Sequence, residues 1–143
     1  MNKLSIYLIV LLTIFYGSIA HGAEKLELDT KTTLSIINTV MDLYYTLHRG
    51  NEDEIQAKFL TKQPIVLVKH WIDIAKRYKF QDKDKLEFRK IGVSPKNSSI
   101  VSVYLRLWNK EKNFPPPYND DLIILKRIGS QWKIMELTAP NLP

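Results

Sequence analysis

From Leu34 to His48 the apolar positions return every three or four residues: Leu34, Ile37, Met41, Tyr44 and His48, with Val40, Leu43 and Leu47 widening the stripe. A 3.6-residue period predicts one amphipathic helix of roughly five turns. Asp29 or Thr30 can cap its start, and Gly50 stands where a left-handed C-terminal cap is expected. Asn51 with Glu54 has the form of a capping box, which predicts a second, short helix from about Glu52 to Leu60 with Ile55, Phe59 and Leu60 on its buried side. Pro64 suits the opening turn of a third helix, since an amide hydrogen is dispensable there. Ile65, Val68, Ile72 and Ala75 form its stripe, and Leu67, Trp71, Ile74 and Tyr78 fall beside it. Lys69, Lys76, Arg77 and Lys79 read as a solvated face whose charge complements the helix dipole, and Gln81 to Asp84 is a polar connector.

The pattern then changes from helical to alternating. Leu86 and Phe88 fall on one side of a strand and Ile91 and Val93 on the other, a change of side that predicts a bulge near Lys90. Pro95-Lys96-Asn97 turns the chain into a second strand, with Val101, Val103, Leu105 and Leu107 on one face and Ser102, Tyr104, Arg106 and Trp108 on the other. The loop from Asn109 to Asn119 contains Pro115-Pro116-Pro117, too stiff and too poor in donors for a strand. Gly129-Ser130 between Ile128 and Gln131 fits a two-residue hairpin with glycine first. Strict alternation from that turn pairs Lys126 with Lys133, Ile124 with Met135 and Leu122 with Leu137 on one face. On the other it pairs Arg127 with Trp132, Leu125 with Ile134 and Ile123 with Glu136. Facing lysines need water, so the second face is the one expected to meet the helices, with Glu136 as a carboxylate on an apolar surface.

The amino terminus carries a different signal. Met1-Asn2-Lys3, an apolar run from Leu4 to Phe15 and the small residues Gly17-Ser18-Ile19-Ala20 have the form of a secretory signal peptide over residues 1–20, cleaved between 20 and 23. An uncleaved membrane anchor is the competing reading of the same stretch. Residues 21–29 then form a linker and 30–139 one domain. The chain of 143 residues, 45% hydrophobic and 25% charged, is of globular composition. Its lack of cysteine excludes disulfides, a thiol nucleophile and thiolate metal sites. The net charge of +6, of which the leader contributes one lysine, favours solubility and leaves open contact with anionic surfaces or acidic partners.

Three helices followed by a four-stranded antiparallel meander that closes in Arg127-Ile128-Gly129-Ser130-Gln131-Trp132-Lys133-Ile134 resemble the nuclear-transport-factor-2-like superfamily over about residues 30 to 138. The resemblance implies an α+β fold in which a curved sheet wraps the helices into a cone with a pocket at its open end. It also implies a range of functions, from isomerases, cyclases and hydrolases to non-catalytic binding domains. A cystatin-like or other α+β arrangement of one sheet against helices is the alternative fold. Fold alone does not choose among functions.

The candidate chemistry is sparse. Tyr44, Tyr104, Arg106, Trp108 and Glu136 form an aromatic and charged set suited to lining a pocket mouth, although Tyr104 and Trp108 equally suit core cover, with Arg106 reaching to water. His48 lies one turn after Tyr44, and His70 precedes Asp73 by three positions, but no spaced third ligand suggests zinc. Phosphate-binding glycine loops and the nucleophile-elbow pattern are absent. Asp120-Asp121 is a carboxylate pair whose members must point to opposite faces of a strand, so it reads as strand initiation or a solvated edge. Asn97-Ser98-Ser99 matches a glycosylation sequon at a turn. The expected function is a non-catalytic periplasmic or secreted binding domain, without cofactor or metal, for a protein partner or a small hydrophobic ligand. The alternatives are a small general acid/base enzyme using Glu136 on a hydrophobic ligand and a membrane-anchored accessory subunit of a cell-envelope complex. Dispersed basic residues and the leader argue against nucleic acid, membrane contact is expected only through an uncleaved leader, and a homodimer through the sheet is conceivable.

Overall fold

The computed structural model describes residues 27–77, 86–108 and 118–138. The leader, the linker as far as residue 26, Tyr78 and the connector after it, and the triple-proline loop lie outside the described residues. Three helices come first: α1 (Thr30–Arg49), α2 (Glu52–Lys58) and α3 (Ile65–Arg77). Asp29 caps α1 by accepting from the Thr32 amide at 2.8 Å and the Thr32 hydroxyl at 2.7 Å. Gly50 closes the helix at φ 77°, a conformation glycine adopts without steric cost, and its N–H returns to the carbonyls of Thr46 and Leu47. The Asn51 side chain accepts from the amides of Asp53 and Glu54, the N-cap half of a capping box, while Glu54 returns to the Asn51 side-chain amide rather than to its backbone N–H.

Four strands follow in a simple meander, β1 (Leu86–Ser94), β2 (Asn97–Trp108), β3 (Tyr118–Ile128) and β4 (Gln131–Thr138), all neighbours antiparallel. The described residues thus form an α+β fold of three helices and an open sheet. The helices lie on one face of it. There Val101, Val103, Leu105 and Leu107 of β2 and Ile123 and Leu125 of β3 are buried with Ile36, Val40, Leu43, Tyr44 and Leu47 of α1, Ile55 of α2 and Val68, Ile72 and Ala75 of α3.

Both edge strands break strict alternation. The pairing of β1 with β2 shifts at Arg89, so Phe88 faces Leu105 and Ile91 faces Val103. All four apolar residues of β1 thereby pack against the core, as the change of side in the sequence required. β4 carries a second shift, between Ile124 and Leu125 of β3, with Met135 as the extra residue. The hairpin register holds from Ile128 with Gln131 through Leu125 with Ile134, and then departs from expectation. Ile124 pairs with Glu136, Ile123 with Leu137 and Leu122 with Thr138. Leu137 therefore takes the buried place expected for Glu136, and Glu136 turns out to the exposed face.

Two residues expected in the core are exposed instead. Leu60 is 39% and Ile65 49% accessible. The segment after α2 runs beside β4, where Phe59 bridges to Ile134 and the Leu60 amide donates to the Ile134 carbonyl at 2.7 Å. Phe59 is buried and stacks on Trp71 with ring centroids 5.1 Å apart, and the chain direction set by that bridge turns Leu60 outward. This contact also covers the free edge of β4, a protection that edge strands commonly need.

Truncating Ile123, fully buried between sheet and helices, leaves a cavity: Ile123→Ala is expected to cost about 2–5 kcal/mol in urea unfolding, whereas Met135→Ala at the exposed bulge should stay within about 0.5 kcal/mol.

Candidate functional site

Asp120 and Asp121 open β3 and point to opposite faces, as the strand period demands. Both are buried, which corrects the reading of the pair as a solvated edge. Asp121 lies opposite Leu105 on the face that meets the helices. The Tyr44 hydroxyl, carried by the buried side of α1, donates to its Oδ2 at 2.5 Å, and Asn119 Nδ2 donates to its Oδ1 at 2.7 Å. Tyr44 is thus the interior member of the expected pocket set, and its partner is a carboxylate that alternation alone did not single out.

Burial pushes the Asp121 carboxyl up to about 6. The bonds from Tyr44 and Asn119 oppose that shift, the charge of Asp120 adds to it, and His70 on α3 draws it down slightly. The Tyr44 phenol is held well above its ordinary value, first by burial and then by the Asp121 charge. A carboxyl whose proton comes off near neutrality, bonded to a buried phenol, is a group able to give and take protons.

Asp120 organises the outer face. Arg106 grips it with both prongs, Nε to Oδ1 at 2.7 Å and a terminal nitrogen to Oδ2 at 3.0 Å, and the Tyr104 hydroxyl donates to Oδ2 at 2.8 Å. The guanidinium lies 3.8 Å from the Tyr118 ring centroid and 5.5 Å from that of Trp108. Trp108 in turn donates to Glu87 at 2.7 Å, and Arg89 bonds the other oxygen of Glu87 at 2.6 Å. The bond from Arg106 holds Asp120 below the usual carboxylate range, and the same bond raises Arg106. Burial raises Glu87, but the bonds from Trp108 and Arg89 outweigh it and leave the carboxyl low. The Asp120 bond raises Tyr104.

The structure therefore brings Tyr104, Arg106 and Trp108 together and separates them from Tyr44 by the thickness of the sheet. Their polar atoms are engaged by Asp120 and Glu87 within the chain. Glu136 joins neither group. It lies exposed beside Ile124, with no hydrogen bond or ion pair among the described residues. The Nδ1 atom of His48 is buried without a hydrogen-bond partner among them, while His70 and Asp73 are exposed. No cluster of three or more histidines and carboxylates is set to hold a metal among the described residues.

A groove of about 970 Å³ occupies a different place, between the amino-terminal half of α1 and the β3–β4 hairpin. Lys31, Ser35, Asn38 and Asp42 line its helical side, and Gln131 and Lys133 its sheet side. Asp42 pairs with Lys58 at one end, and Lys133 is tied by its ammonium to the Ala57 carbonyl at 2.8 Å. The groove shares no residue with the Tyr44–Asp121 pair.

The fold and its two polar centres define an α+β domain built around an open antiparallel sheet. No protein-family model matches the chain, and no curated protein and no solved structure matches it either.

The Asp121 carboxyl binds its proton more tightly folded than unfolded, since its value rises from 3.8 to about 6. Its contribution to stability is then complete below about pH 4 and is lost as pH rises through about 6, a swing on the order of 3 kcal/mol. Asp121→Asn should remove that slope between pH 4 and 7 in chemical unfolding curves; a slope that survives the substitution has another source.

Proposed function

We propose that the chain is an exported, non-catalytic binding domain built on a nuclear-transport-factor-2-like cone, and that the groove between α1 and the β3–β4 hairpin receives an extended polar segment of a protein partner. The observation that carries this reading is the groove itself, about 970 Å³ in volume and lined by side chains that offer both donors and acceptors. Its walls are rigidly based. α1 is capped at both ends and buries its opposite side, and the hairpin is fixed by the two-residue turn and by the contact of Lys133 with Ala57. Preformed walls reduce the ordering cost of association. The helices-then-meander order and the bulges that bend both edge strands favour the cone. Export rests on the leader pattern in residues 1–20.

A photo-crosslinking residue in place of Asn38, tested in the exporting cell, should form a defined protein adduct that Lys31→Glu weakens. The same residue in place of Lys90, on the sheet face turned away from the helices, should not. Equal labelling from both positions, or none from Asn38, removes the groove as the binding surface.

One observation favours a second reading, a general acid/base enzyme acting on a hydrophobic ligand. The exposed position of Glu136 ends its candidacy as the acid or base. Asp121, with Tyr44 at 2.5 Å and a pKa near 6, has the chemistry that role needs. A screen of hydrophobic carbonyl compounds should then find turnover that Asp121→Asn abolishes and Tyr44→Phe lowers. Turnover indifferent to Asp121→Asn excludes this reading.

A further inference from the structure

Ile65, Val66 and Leu67 are three consecutive large apolar residues at the start of α3, and they are 49%, 69% and 42% exposed. Leu60, 39% exposed, lies on the segment leading into the same helix. Single exposed apolar side chains are ordinary, but a run of them on one projecting turn marks a contact surface.

The turn is held in place rather than left loose. The Gln56 side chain clasps Gln63 from both sides, donating to its carbonyl at 2.9 Å and accepting from its amide at 2.8 Å. Pro64 follows directly, and its carbonyl accepts from the amides of Leu67 and Val68 at 3.0 and 3.2 Å. Trp71, one turn after Leu67, stacks on the buried Phe59 and ties the helix to the segment after α2. The apolar residues thus stand on a rigid support.

The charge along this segment is predominantly positive, with Lys58 paired to Asp42. From Lys58 to Arg77 the chain carries five lysine or arginine residues and one carboxylate, Asp73. Lys62, between Leu60 and Ile65, is exposed, and Lys69, one turn beyond Ile65 on the same helical face, is exposed as well. Asp73 follows Lys69 on that face, one turn farther from the apolar residues, and His70 lies one turn after Val66. The positive end of the α3 dipole points the same way. Apolar side chains that project between lysines suit a lipid interface, where the apolar groups enter the acyl boundary and the ammonium groups meet anionic headgroups.

We propose that Leu60, Ile65, Val66 and Leu67, with Lys62 and Lys69, form a docking surface for an anionic phospholipid bilayer. The inference is independent of the groove and of the Tyr44–Asp121 pair, and it adds membrane contact by the folded domain to any contact made through the leader.

The chain has no cysteine, so Val66→Cys supplies a single thiol for an environment-sensitive dye that reports on this turn and is blind to the leader. With the full chain, dye emission should rise several-fold on vesicles containing phosphatidylglycerol, stay near its starting value on phosphatidylcholine alone, and fall back in high salt. The same dye on Lys96→Cys, at the β1–β2 turn, should remain unchanged. Adding Lys62→Glu and Lys69→Glu to the labelled chain should weaken the response by about tenfold or more in vesicle concentration. Each labelled protein is checked for an unchanged thermal unfolding curve. No rise on anionic vesicles overturns the proposal, as does an equal rise on both lipids. A rise that follows protein concentration without vesicles identifies a second copy of the chain as the occupant. A rise produced only by lipid-free envelope protein identifies a protein partner, and either result overturns the membrane assignment.

Discussion

A strand shows alternate residues to opposite faces, and this sheet keeps the face toward the helices apolar, Asp121 apart, because each edge strand carries one extra residue. Without the shift at Arg89, either the Leu86 and Phe88 pair or the Ile91 and Val93 pair would leave the core. Without the shift at Met135, Leu137 would face water and Glu136 would be driven among buried aliphatic groups. A carboxylate buried without a partner costs several kcal/mol, and so does the loss of a large apolar side chain from a packed site. The bulges avoid both costs. They also place the apolar residues of both edge strands on the side of the four-stranded sheet that carries the helices.

With the faces fixed, two adjacent aspartates serve two separate purposes. Asp120 and Asp121 are neighbours in the chain, yet the pleat assigns one to a saturated surface network and the other to the protein interior. Their environments then push their acidities apart. Asp120, gripped by Arg106, stays charged, whereas Asp121, walled in by apolar groups and a phenol, holds its proton toward neutrality. The ionised outer partner contributes to the inner shift, so the two faces are coupled electrostatically through one backbone bond. A charge change at Asp120 is therefore felt at Asp121.

Much of this was readable in the residues. The helix caps, the two-residue turn, the buried face of β2 and the bulge in β1 all follow from local patterns that physics constrains tightly, namely glycine at positive φ, side-chain capping of helix amides and the parity of apolar positions. The same parity test applied to Trp132, Ile134 and Leu137 would have found the second bulge, because the third member falls on the wrong side. Strict alternation from the hairpin misassigned Glu136 for that reason. The burial of Asp120 and Asp121 was harder to read. It depends on Arg106, Tyr104 and Tyr44 reaching them across distances of 14, 16 and 77 residues in the chain, and periodicity carries no information about such pairs.

The exposure of Leu60 and Ile65 has a related cause, and it bears on how the domain presents itself. A helical stripe identifies which residues share a side of a helix, but the length of that side covered by neighbours is set by where the helix begins relative to the rest of the fold. Phe59 is drawn in by Trp71 and by the bridge to Ile134, which fixes the path of the chain beside β4. The clasp of Gln56 on Gln63 then holds the following turn away from the core. Only from Val68 onward is the stripe of α3 buried in the shared core. The contact that covers the vulnerable edge of β4 is therefore the one that sends the first turn of α3 outward. Edge protection and an exposed apolar turn are two consequences of a single anchoring.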